Sequence, residues 1–390
     1  MTTPVRVLYV IEALGEGGTE MSLAELLPEL RAAGVDPVVV CLKSRGAEGV
    51  EHSLVANGFD VRVLRPGSFL AQVRELRRII VAVRPRVVHT MLWRANQIAR
   101  LANLRRVPLL TSLVNESYGP ARLSDPHVRR SRLRLAQGVD LITSHLLTTG
   151  FHAVSQSVKD AEERDLRLPA SRITVVARGR NDRRLGGPTA ERRAAARHEH
   201  GLTESQPVLV NVARQEFQKG HRHLLAALPA VLAAHPDVVL LVAGRSGTET
   251  GALERLARDS GVSERVRFLG HVAGVGDFLA AGDVFVFPSL YEGMPGAVIE
   301  AMAMGLPIVA TDIPSIREVV EPGRNSLLVA VGDDRALAAA IVELLGDPAR
   351  RLAFGARSRD IYDSRFRLDQ SVRGMLALYE RISSGTAPSS

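Results

Sequence analysis

The chain has 390 residues, of which 46% are hydrophobic and 24% charged, with a formal net charge of +8. This length exceeds the size at which one hydrophobic core usually stops growing, so we expect two domains. The composition is typical of a soluble globular protein, and no apolar stretch in the sequence is long enough to span a membrane. The single cysteine, Cys41, cannot form an internal disulfide, and its place in a predicted strand favours a core residue in a reducing cytoplasm.

The positive charge comes almost entirely from arginine, which crowds into three runs at 74–86, 94–106 and 129–134. All three runs lie in the first half of the chain. A basic surface there could contact an anionic membrane, and a dispersed solvated surface is the alternative. Because arginine excess beside abundant alanine is also a compositional habit of some genomes, we do not expect a nucleic-acid partner.

Strands rich in β-branched residues alternate with amphipathic helices, which predicts parallel sheets that helices cover on both faces. In the first half we predict strands at 5–11, 38–42, 61–64, 86–89, 109–113, 139–143, 151–154 and 173–176. The helices predicted between them are 21–33, 68–84, 94–104 and 155–166. Ser68 and Ser155 are the expected N-cap residues of the second and fourth of these helices.

The second half restarts the alternation after an irregular connection at 178–189. We predict its strands at 208–212, 238–242, 266–269, 284–287, 306–310 and 327–329. The predicted helices are 221–234, 253–259, 295–304, 333–345 and a long last helix near 360–382. Two β/α halves of similar size are therefore expected, each with the architecture of a Rossmann-like domain.

Ligands of such sheets bind beyond the carboxyl ends of the strands, where four loops of this chain fall, at 14–20, 214–220, 244–247 and 291–296. Gly17 and Gly18 stand in the first of these loops. Its pattern lacks the third glycine of a dinucleotide fingerprint, and Lys43 stands where an NAD site would have an acidic residue. A dehydrogenase is therefore disfavoured.

The loop at 291–296 leads into a predicted helix and is flanked by two carboxylates, Glu292 and Glu300. Backbone N–H groups and the positive end of the helix dipole favour phosphate at such a position. The carboxylates can take the hydroxyls of a sugar and of a ribose, whereas a loop charge and a solvated helix residue are the alternative. The residues that follow Glu292, up to the first turn of the predicted helix, are Gly293, Met294, Pro295 and Gly296.

Arg214 and Lys219 follow directly after a predicted buried strand. Two cations there can neutralise a diphosphate without a metal, and two ordinary surface charges are the alternative. Metal-ligand spacing of His, Cys and acidic residues is absent from the sequence, although Asp333-Asp334 begins a helix. This argues weakly against a divalent ion as the neutralising group.

Over nearly its whole length the sequence resembles the retaining glycosyltransferases of family 4, which have the GT-B fold. The matching motifs are Arg214 with Lys219-Gly220, the Glu292–Glu300 pair, Glu318-Val319-Val320 with Asn325, and the glycine loop at 15–20. The resemblance is strong over 208–345 and looser over 40–185. It implies two Rossmann-like doubly wound domains that face each other across a cleft, at 1–185 and 186–365, then a helix at 366–384 that returns to the first domain and a flexible tail at 385–390.

The resemblance also implies a metal-independent enzyme without a resident cofactor. Such an enzyme moves a hexose from a UDP- or GDP-sugar to a saccharide or lipid-linked acceptor, in envelope polysaccharide or glycolipid assembly. Arg214 and Lys219 would hold the diphosphate, Glu292 the hydroxyls of the donor sugar, and Glu300 the ribose. The other implied donor contacts are Gly17, Gly18, Gly244, His271, Val272, Gly293, Met294, Pro295 and Gly296. We expect a cytoplasmic protein that meets a lipid-linked acceptor at the inner face of the membrane.

The sequence departs from the family on the acceptor side. Many relatives have a histidine at the end of the strand that is predicted here at 109–113, and this chain has none there. Asn115, Glu116 or His89 could replace it, and a structural role is the alternative for His89. The arginines of Arg178-Gly179-Arg180-Asn181-Asp182 could read an anionic acceptor or line the crossover between the domains. Two other functions stay open: a GT-B enzyme of other chemistry, such as an epimerase or phosphorylase, and a non-enzymatic binder of anions or membranes.

Overall fold

The structure, a computed structural model, describes residues 5–15, 17–46 and 49–384. The chain divides into two compact units. Unit 1 comprises Met1–Gly179 and Leu368–Ser390, and unit 2 comprises Arg180–Arg367. This division differs from the predicted one at residues 180–185 and 366–367, and the tail predicted at 385–390 lies outside the described residues.

Unit 1 is built on a parallel sheet. Its strands are β1 (Val5–Ile11), β2 (Val35–Cys41), β3 (Asp60–Val63), β4 (Val87–Met91), β5 (Leu109–Leu113), β6 (Gly150–Ala153) and β7 (Ile173–Val175). The helices between them are α1 (Gly18–Ala32), α2 (Glu51–Ala56), α3 (Phe69–Val83), α4 (Trp93–Asn103), α5 (Pro120–Leu123), α6 (Arg130–Leu147) and α7 (Gln156–Asp165). The strand order is β3-β2-β1-β4-β5-β6-β7.

Unit 2 has a second parallel sheet. Its strands are β8 (Val208–Val212), β9 (Val239–Ala243), β10 (Val266–Gly270), β11 (Val284–Phe287), β12 (Ile308–Thr311) and β13 (Ser326–Val329), in the order β10-β9-β8-β11-β12-β13. The helices are α8 (Asp182–Leu185), α9 (Ala190–Glu199), α10 (His221–Ala234), α11 (Thr250–Asp259), α12 (Val275–Ala280), α13 (Gly296–Ala303), α14 (Pro314–Arg317), α15 (Asp334–Gly346) and α16 (Pro348–Arg365). The strands bury both faces, because helices cover the sheet from both sides.

The last helix, α17 (Leu368–Ser384), belongs to unit 1 although it follows unit 2 in the chain. Its buried residues join the core around Tyr9 and Leu27; they include Leu368, Val372, Met375, Leu378, Tyr379 and Ile382. Cys41 lies in the same core, and burial raises the pKa of its thiol to about 12. Across the described residues, no helix combines the length and the apolarity needed to cross a membrane.

The structure corrects two predicted elements. The stretch 139–143 is not a strand but the middle of α6, where Asp140 faces inward and accepts hydrogen bonds from Gln97 and Arg100 of α4. The predicted last helix at 360–382 is two helices in the structure. Helix α16 ends at Arg365, and the next helix, α17, begins at Leu368. Between the two helices, Arg367 forms a β-bridge with Arg180, and the carbonyl oxygen of Phe366 accepts the backbone N–H of Arg180 at 2.9 Å.

A polar network within unit 1 attaches α6 to α4. The guanidinium of Arg100, on α4, is 1% exposed and donates to Asp140 Oδ1, to Thr143 Oγ1 at 2.9 Å and to Thr148 Oγ1 at 3.0 Å. Asp140 also accepts the hydroxyl of Tyr118 at 2.9 Å. Because both charges are buried, each one depends on the other for compensation of its lost hydration.

We predict that Asp140→Ala lowers the free energy of unfolding by about 3–5 kcal/mol, because it leaves the buried guanidinium of Arg100 without its counter-ion. Urea denaturation measures this loss. The matched control is Asp36→Ala, since the Arg6–Asp36 pair is about half exposed and should contribute less than about 1 kcal/mol. Equal losses for the two variants would contradict the prediction.

Candidate functional site

The carboxyl ends of the parallel strands of unit 2 lie at one edge of its sheet, so the loops that follow β8, β9, β10 and β11 are neighbours. Backbone hydrogen bonds join these loops. Gly244 N donates to Gly270 O at 2.7 Å, and Leu290 N donates to Gln218 O at 2.8 Å. The loops that the sequence singled out at 214–220, 244–247 and 291–296 therefore form one continuous surface.

Two glycines allow this close approach. Gly220 and Gly244 have φ angles of +65° and +150°, which favour glycine. A Cβ atom at Gly220 would collide with the carbonyl oxygen of Pro288, and one at Gly244 with the carbonyl oxygen of Ala213. Backbone packing at the sheet edge thus requires glycine at both positions.

Lys219 and Glu292 form an ion pair on this surface. Lys219 ends a 3₁₀ turn, Phe217–Lys219, and its Nζ donates to Glu292 Oε1 at 2.5 Å. The two side chains are 16% and 8% exposed, respectively. The ammonium also lies 5.6 Å from the centroid of the Phe287 ring. The structure brings these two predicted residues together, and Glu292 is not an exposed loop charge.

Arg214 adds a further cation to the same loop. Its side chain is exposed, and among the described residues its guanidinium takes part in no ion pair. The neighbouring His221 adds no charge near neutral pH, because burial, with a smaller contribution from Lys219, lowers its pKa to about 4. Since Lys219 is paired with Glu292, Arg214 is the cation of this loop that remains available to a bound anion.

Glu300 lies on α13 and is held by two arginines. Arg180 Nε and Arg184 Nη2 donate to its Oε1 at 2.8 and 3.0 Å. Arg180 is 4% exposed and lies over Gly296, where a Cβ atom would collide with the guanidinium. The sequence marked the arginines near 180 but could not assign their partner, because 120 residues separate Arg180 from Glu300.

The remaining donor candidates surround the start of α13 and the end of β10. Gly293, Met294 and Pro295 are buried, and α13 begins at Gly296, one residue later than predicted, with no side-chain cap among the described residues. Its inward face contains the expected residues, which are Val298, Ile299 and Met302, all fully buried. His271 is exposed and Val272 half-buried, directly after β10.

Gly17 and Gly18 lie in unit 1, at the start of α1. Neither has a positive φ angle. A Cβ atom at Gly17 would meet only the flexible carboxylate of Glu20, and one at Gly18 would meet Arg178 Nη1 at 3.9 Å. The fold of unit 1 therefore does not require glycine at these two positions.

His89, in β4, belongs to a buried chain of hydrogen bonds. Burial, together with the neighbouring His152, holds the pKa of His89 well below its usual value, and burial lowers the pKa of His152 to about 4, so both rings are neutral. His152 Nε2 lies 3.0 Å from the carbonyl oxygen of Val176 and must donate to it, which leaves Nδ1 as an acceptor for the Ser112 hydroxyl at 2.9 Å.

The direction of every other bond in the chain follows. Ser112 Oγ accepts from His89 Nε2 at 2.7 Å, so His89 Nδ1 accepts from the Tyr379 hydroxyl at 2.8 Å. Tyr379 then accepts from Tyr9 at 2.8 Å. Both ring nitrogens of His89 are therefore engaged within the protein, as the structural alternative for this residue requires. The ring also lines a pocket of unit 1 with largely apolar walls, which include Leu23, Leu26, Met91, Val154, Leu368 and Met375.

Asn115 and Glu116 lie in the loop after β5, and both are half-buried. Next to them, Tyr118 binds Asp140, and the backbone of Ser117 forms a hydrogen bond with Glu162. Glu162 is 2% exposed, and burial, reinforced by Asp140 and Asp165, raises its pKa to about 8. This loop is thus anchored by a carboxyl group that is protonated at neutral pH.

No group of three or more His, Cys, Asp or Glu side chains in the described part of the chain is arranged to hold a metal ion.

Comparison with known proteins identifies both units. A family model described as "Glycosyltransferase Family 4" matches residues 16–184, and one described as "Glycosyl transferases group 1" matches residues 206–347. A "GDP-mannose-dependent monoacylated alpha-(1-6)-phosphatidylinositol monomannoside mannosyltransferase" of Corynebacterium glutamicum is 37% identical over 186 residues, which are 45% of this chain and 48% of that protein. The lipopolysaccharide core biosynthesis mannosyltransferase LpsB of Rhizobium meliloti is 30% identical over 216 residues, 54% of this chain and 61% of that protein. The chain thus spans about half the length of the first of these relatives.

A solved structure shows the same fold over nearly the whole chain. Anabaena HepE, in complex with UDP and glucose, superposes with a TM-score of 0.82 at 22% sequence identity. The match covers 96% of this chain and 99% of that one. The predicted fold class, GT-B, is thereby confirmed.

We predict that the stability contributed by Glu162 depends on pH. Unfolded glutamate ionises at about pH 4.3, whereas Glu162 keeps its proton in the folded state up to about pH 8. Between these values the folded state binds the additional proton, so the free energy of unfolding falls as the pH rises. In Glu162→Gln this fall should disappear, and urea denaturation from pH 5 to pH 8 measures it.

The neighbouring Glu163 provides the matched control for this measurement. Its side chain is 32% exposed and pairs with Lys159 at 3.8 Å. Glu163→Gln should keep the pH dependence of the wild type. The prediction fails if Glu162→Gln and the wild type lose stability in parallel over this range.

Proposed function

The chain belongs to glycosyltransferase family 4, and from this premise we propose that it transfers a hexose from a nucleotide-sugar to an acceptor with retention of anomeric configuration. The observation that carries the proposal is the Lys219–Glu292 pair at the carboxyl edge of unit 2, with Arg214 in the same loop. Two cations and a carboxylate are the groups needed to hold a diphosphate on one side and a sugar hydroxyl on the other.

The burial of Lys219 and Glu292 supports this proposal. A surface ion pair stabilises a fold only slightly, and a buried one is often no better than a hydrophobic pair. The Lys219–Glu292 pair is mostly buried, yet it lies where the loops of unit 2 end rather than in the apolar core. In this position the pair holds each charged group in a fixed orientation before a substrate binds, which lowers the cost of binding.

In the proposed reaction the bond between the anomeric carbon and the β-phosphate oxygen breaks, and a bond from the acceptor oxygen to the same carbon forms. Negative charge then develops on the leaving diphosphate, where Arg214 and Lys219 stabilise it. The proton of the acceptor hydroxyl passes to the leaving phosphate, so no protein nucleophile is needed. Glu292 orients the donor sugar through its hydroxyls.

Glu300 fits the proposed ribose contact. Its Oε1 accepts from Arg180 and Arg184, which fixes the carboxylate on α13. A carboxylate accepts more hydrogen bonds than these two, so it retains capacity for a ribose hydroxyl. His271 and Val272 are proposed to contact the base, and Gly293 to Gly296 the phosphates. The roles predicted for Gly17, Gly18, Gly244, His89, Asn115 and Glu116 stay predictions.

Donor and acceptor are proposed as classes. The C. glutamicum relative is named for GDP-mannose and a phosphatidylinositol mannoside, LpsB for the lipopolysaccharide core, and HepE was solved with UDP. These names support a UDP- or GDP-sugar as donor and a saccharide or lipid-linked acceptor, in glycolipid or polysaccharide assembly on the cytoplasmic side of the membrane. We propose that the reaction needs no metal ion, and that it continues in the presence of a chelator.

We predict that isothermal titration detects binding of UDP, of GDP or of both to the whole protein in buffer that contains a chelator. Arg214→Gln should weaken this binding about 10-fold or more, because a charge-assisted hydrogen bond contributes about 1.5–3 kcal/mol. The control is Arg258→Gln, an exposed arginine near the end of α11, at the opposite edge of the sheet. The proposal is wrong if neither nucleotide binds at about 1 mM, the concentration that corresponds to about −4 kcal/mol.

We further predict that stability and activity separate at the Lys219–Glu292 pair. Lys219→Met leaves a mostly buried carboxylate without its partner and should lower the free energy of unfolding by up to about 3 kcal/mol. The double variant Lys219→Met with Glu292→Gln should recover most of that stability and remain inactive. Thermal unfolding and sugar transfer measured on the same samples test this. Sugar transfer at the wild-type rate by the double variant would give the pair a structural role only.

A further inference from the structure

Helix α6 has its polarity reversed relative to an ordinary surface helix. The two side chains that it buries are polar: Asp140 accepts from Arg100 of α4, and Ser144 donates to the carbonyl oxygen of Leu141 within α6 at 3.0 Å. Its outer face is apolar. Four large aliphatic side chains are 38–72% exposed there: Leu135, Val139, Ile142 and Leu146.

These four residues stand at positions i, i+4, i+7 and i+11, which places them in one stripe along the helix. Scattered exposed aliphatic residues are ordinary in soluble proteins, whereas a contiguous apolar stripe marks an interaction surface. None of the four residues belongs to the hydrophobic clusters of unit 1. The stripe therefore has the composition of a face that meets a partner outside the unit.

Positive charge accompanies the stripe at one end. Arg129, Arg130, Arg132 and Arg134 occupy the first turns of α6 and the residue before it, and all four are exposed. In the described part of the chain none of these guanidinium groups takes part in an ion pair. The only acidic residue of α6 is Asp140, which is buried, so the exposed face of the helix contains no carboxylate.

The other two arginine runs lack this combination. Helix α3 exposes Arg74 and Arg78, but its exposed aliphatic residues, Leu70 and Val81, stand eleven positions apart and form no continuous stripe. In α4, Arg100 is buried in the polar network. Exposed arginines and a continuous aliphatic stripe therefore occur together on α6.

Charge decides which partner fits. A second copy of α6 would bring four more arginines and no carboxylate, whether the two helices ran parallel or antiparallel. An anionic lipid surface supplies what both parts of the face require, which is acyl chains for the stripe and phosphate groups for the arginines. We propose that α6 docks unit 1 on a membrane that contains anionic lipids.

The direction of α6 determines which edge of the sheet would lie near the membrane. Strand β5 ends at the carboxyl edge of the sheet, and β6 begins at the opposite edge, so α6 must run from the carboxyl edge back. Its arginines therefore lie at the carboxyl-edge end, which is also where the loop with Asn115 and Glu116 emerges. Phosphate groups bound by the arginines would hold that edge of unit 1 at the level of the lipid head groups. The proposal concerns binding alone and holds whether or not the proposed reaction is correct.

Vesicle sedimentation with the whole protein tests the proposal. Vesicles of phosphatidylcholine and phosphatidylglycerol in equal parts should bind the protein, and vesicles of phosphatidylcholine alone should not. Replacing Arg130, Arg132 and Arg134 by glutamine should lower the partition coefficient by about fivefold per arginine. Leu135→Ser with Ile142→Ser should also abolish binding without a change in thermal stability, because both side chains are exposed.

Two control variants test whether α6 itself is the binding face. Leu352→Ser removes a 75% exposed leucine of α16, and Arg74→Gln with Arg78→Gln removes two exposed arginines of α3. Both should bind vesicles as the wild type does. The proposal is overturned by equal binding to both vesicle types, by no binding to either, or by α6 variants that bind like the controls. A dimer in analytical ultracentrifugation that the α6 variants dissolve, without vesicle binding, would identify the face as a self-interface instead.

Discussion

The common direction of the strands is the constraint on which the rest of this structure depends. In each sheet the strands are parallel, so every loop that leaves a carboxyl end emerges at the same edge. Residues that are 73 positions apart, such as Lys219 and Glu292, therefore become hydrogen-bonded neighbours. The same constraint sets the direction of α6 in unit 1, and with it the end at which the arginines gather.

Buried charge is used differently in the two units. In unit 1, Arg100 and Asp140 lie under α6 and attach a helix whose outer face is apolar. In unit 2, the Lys219–Glu292 and Arg180–Glu300 pairs lie in or beside the loops at the sheet edge. Such pairs stabilise a fold weakly relative to hydrophobic packing, but they fix the orientation of each charged group. In unit 2 the charged groups that are oriented in this way are the ones proposed to contact a nucleotide-sugar.

Local sequence patterns were sufficient for the strands, for the loops of the candidate site and for about half of the helices, which are α1, α3, α4, α7, α10, α11, α13 and α15. They singled out Arg214, Lys219 and Glu292 because these residues stand in loops that follow predicted strands, and Glu300 because it stands eight residues after Glu292 on the next predicted helix. They failed for α6, since a run of apolar and β-branched residues looks like a strand when its buried face is polar. They also could not find Arg180 as the partner of Glu300 or Tyr379 as the partner of His89, because only the folded chain brings such distant residues together.

The place of α17 in unit 1 has a consequence for the order of folding during synthesis. The core around Tyr9 and Leu27 is complete only when Met375, Leu378 and their neighbours have packed against it. Unit 2, by contrast, is one continuous stretch, Arg180–Arg367. On the ribosome, the N-terminal part of unit 1 must therefore wait with an open apolar surface until the whole of unit 2 has been translated. Although it is made first, unit 1 is the last of the two to reach its finished fold.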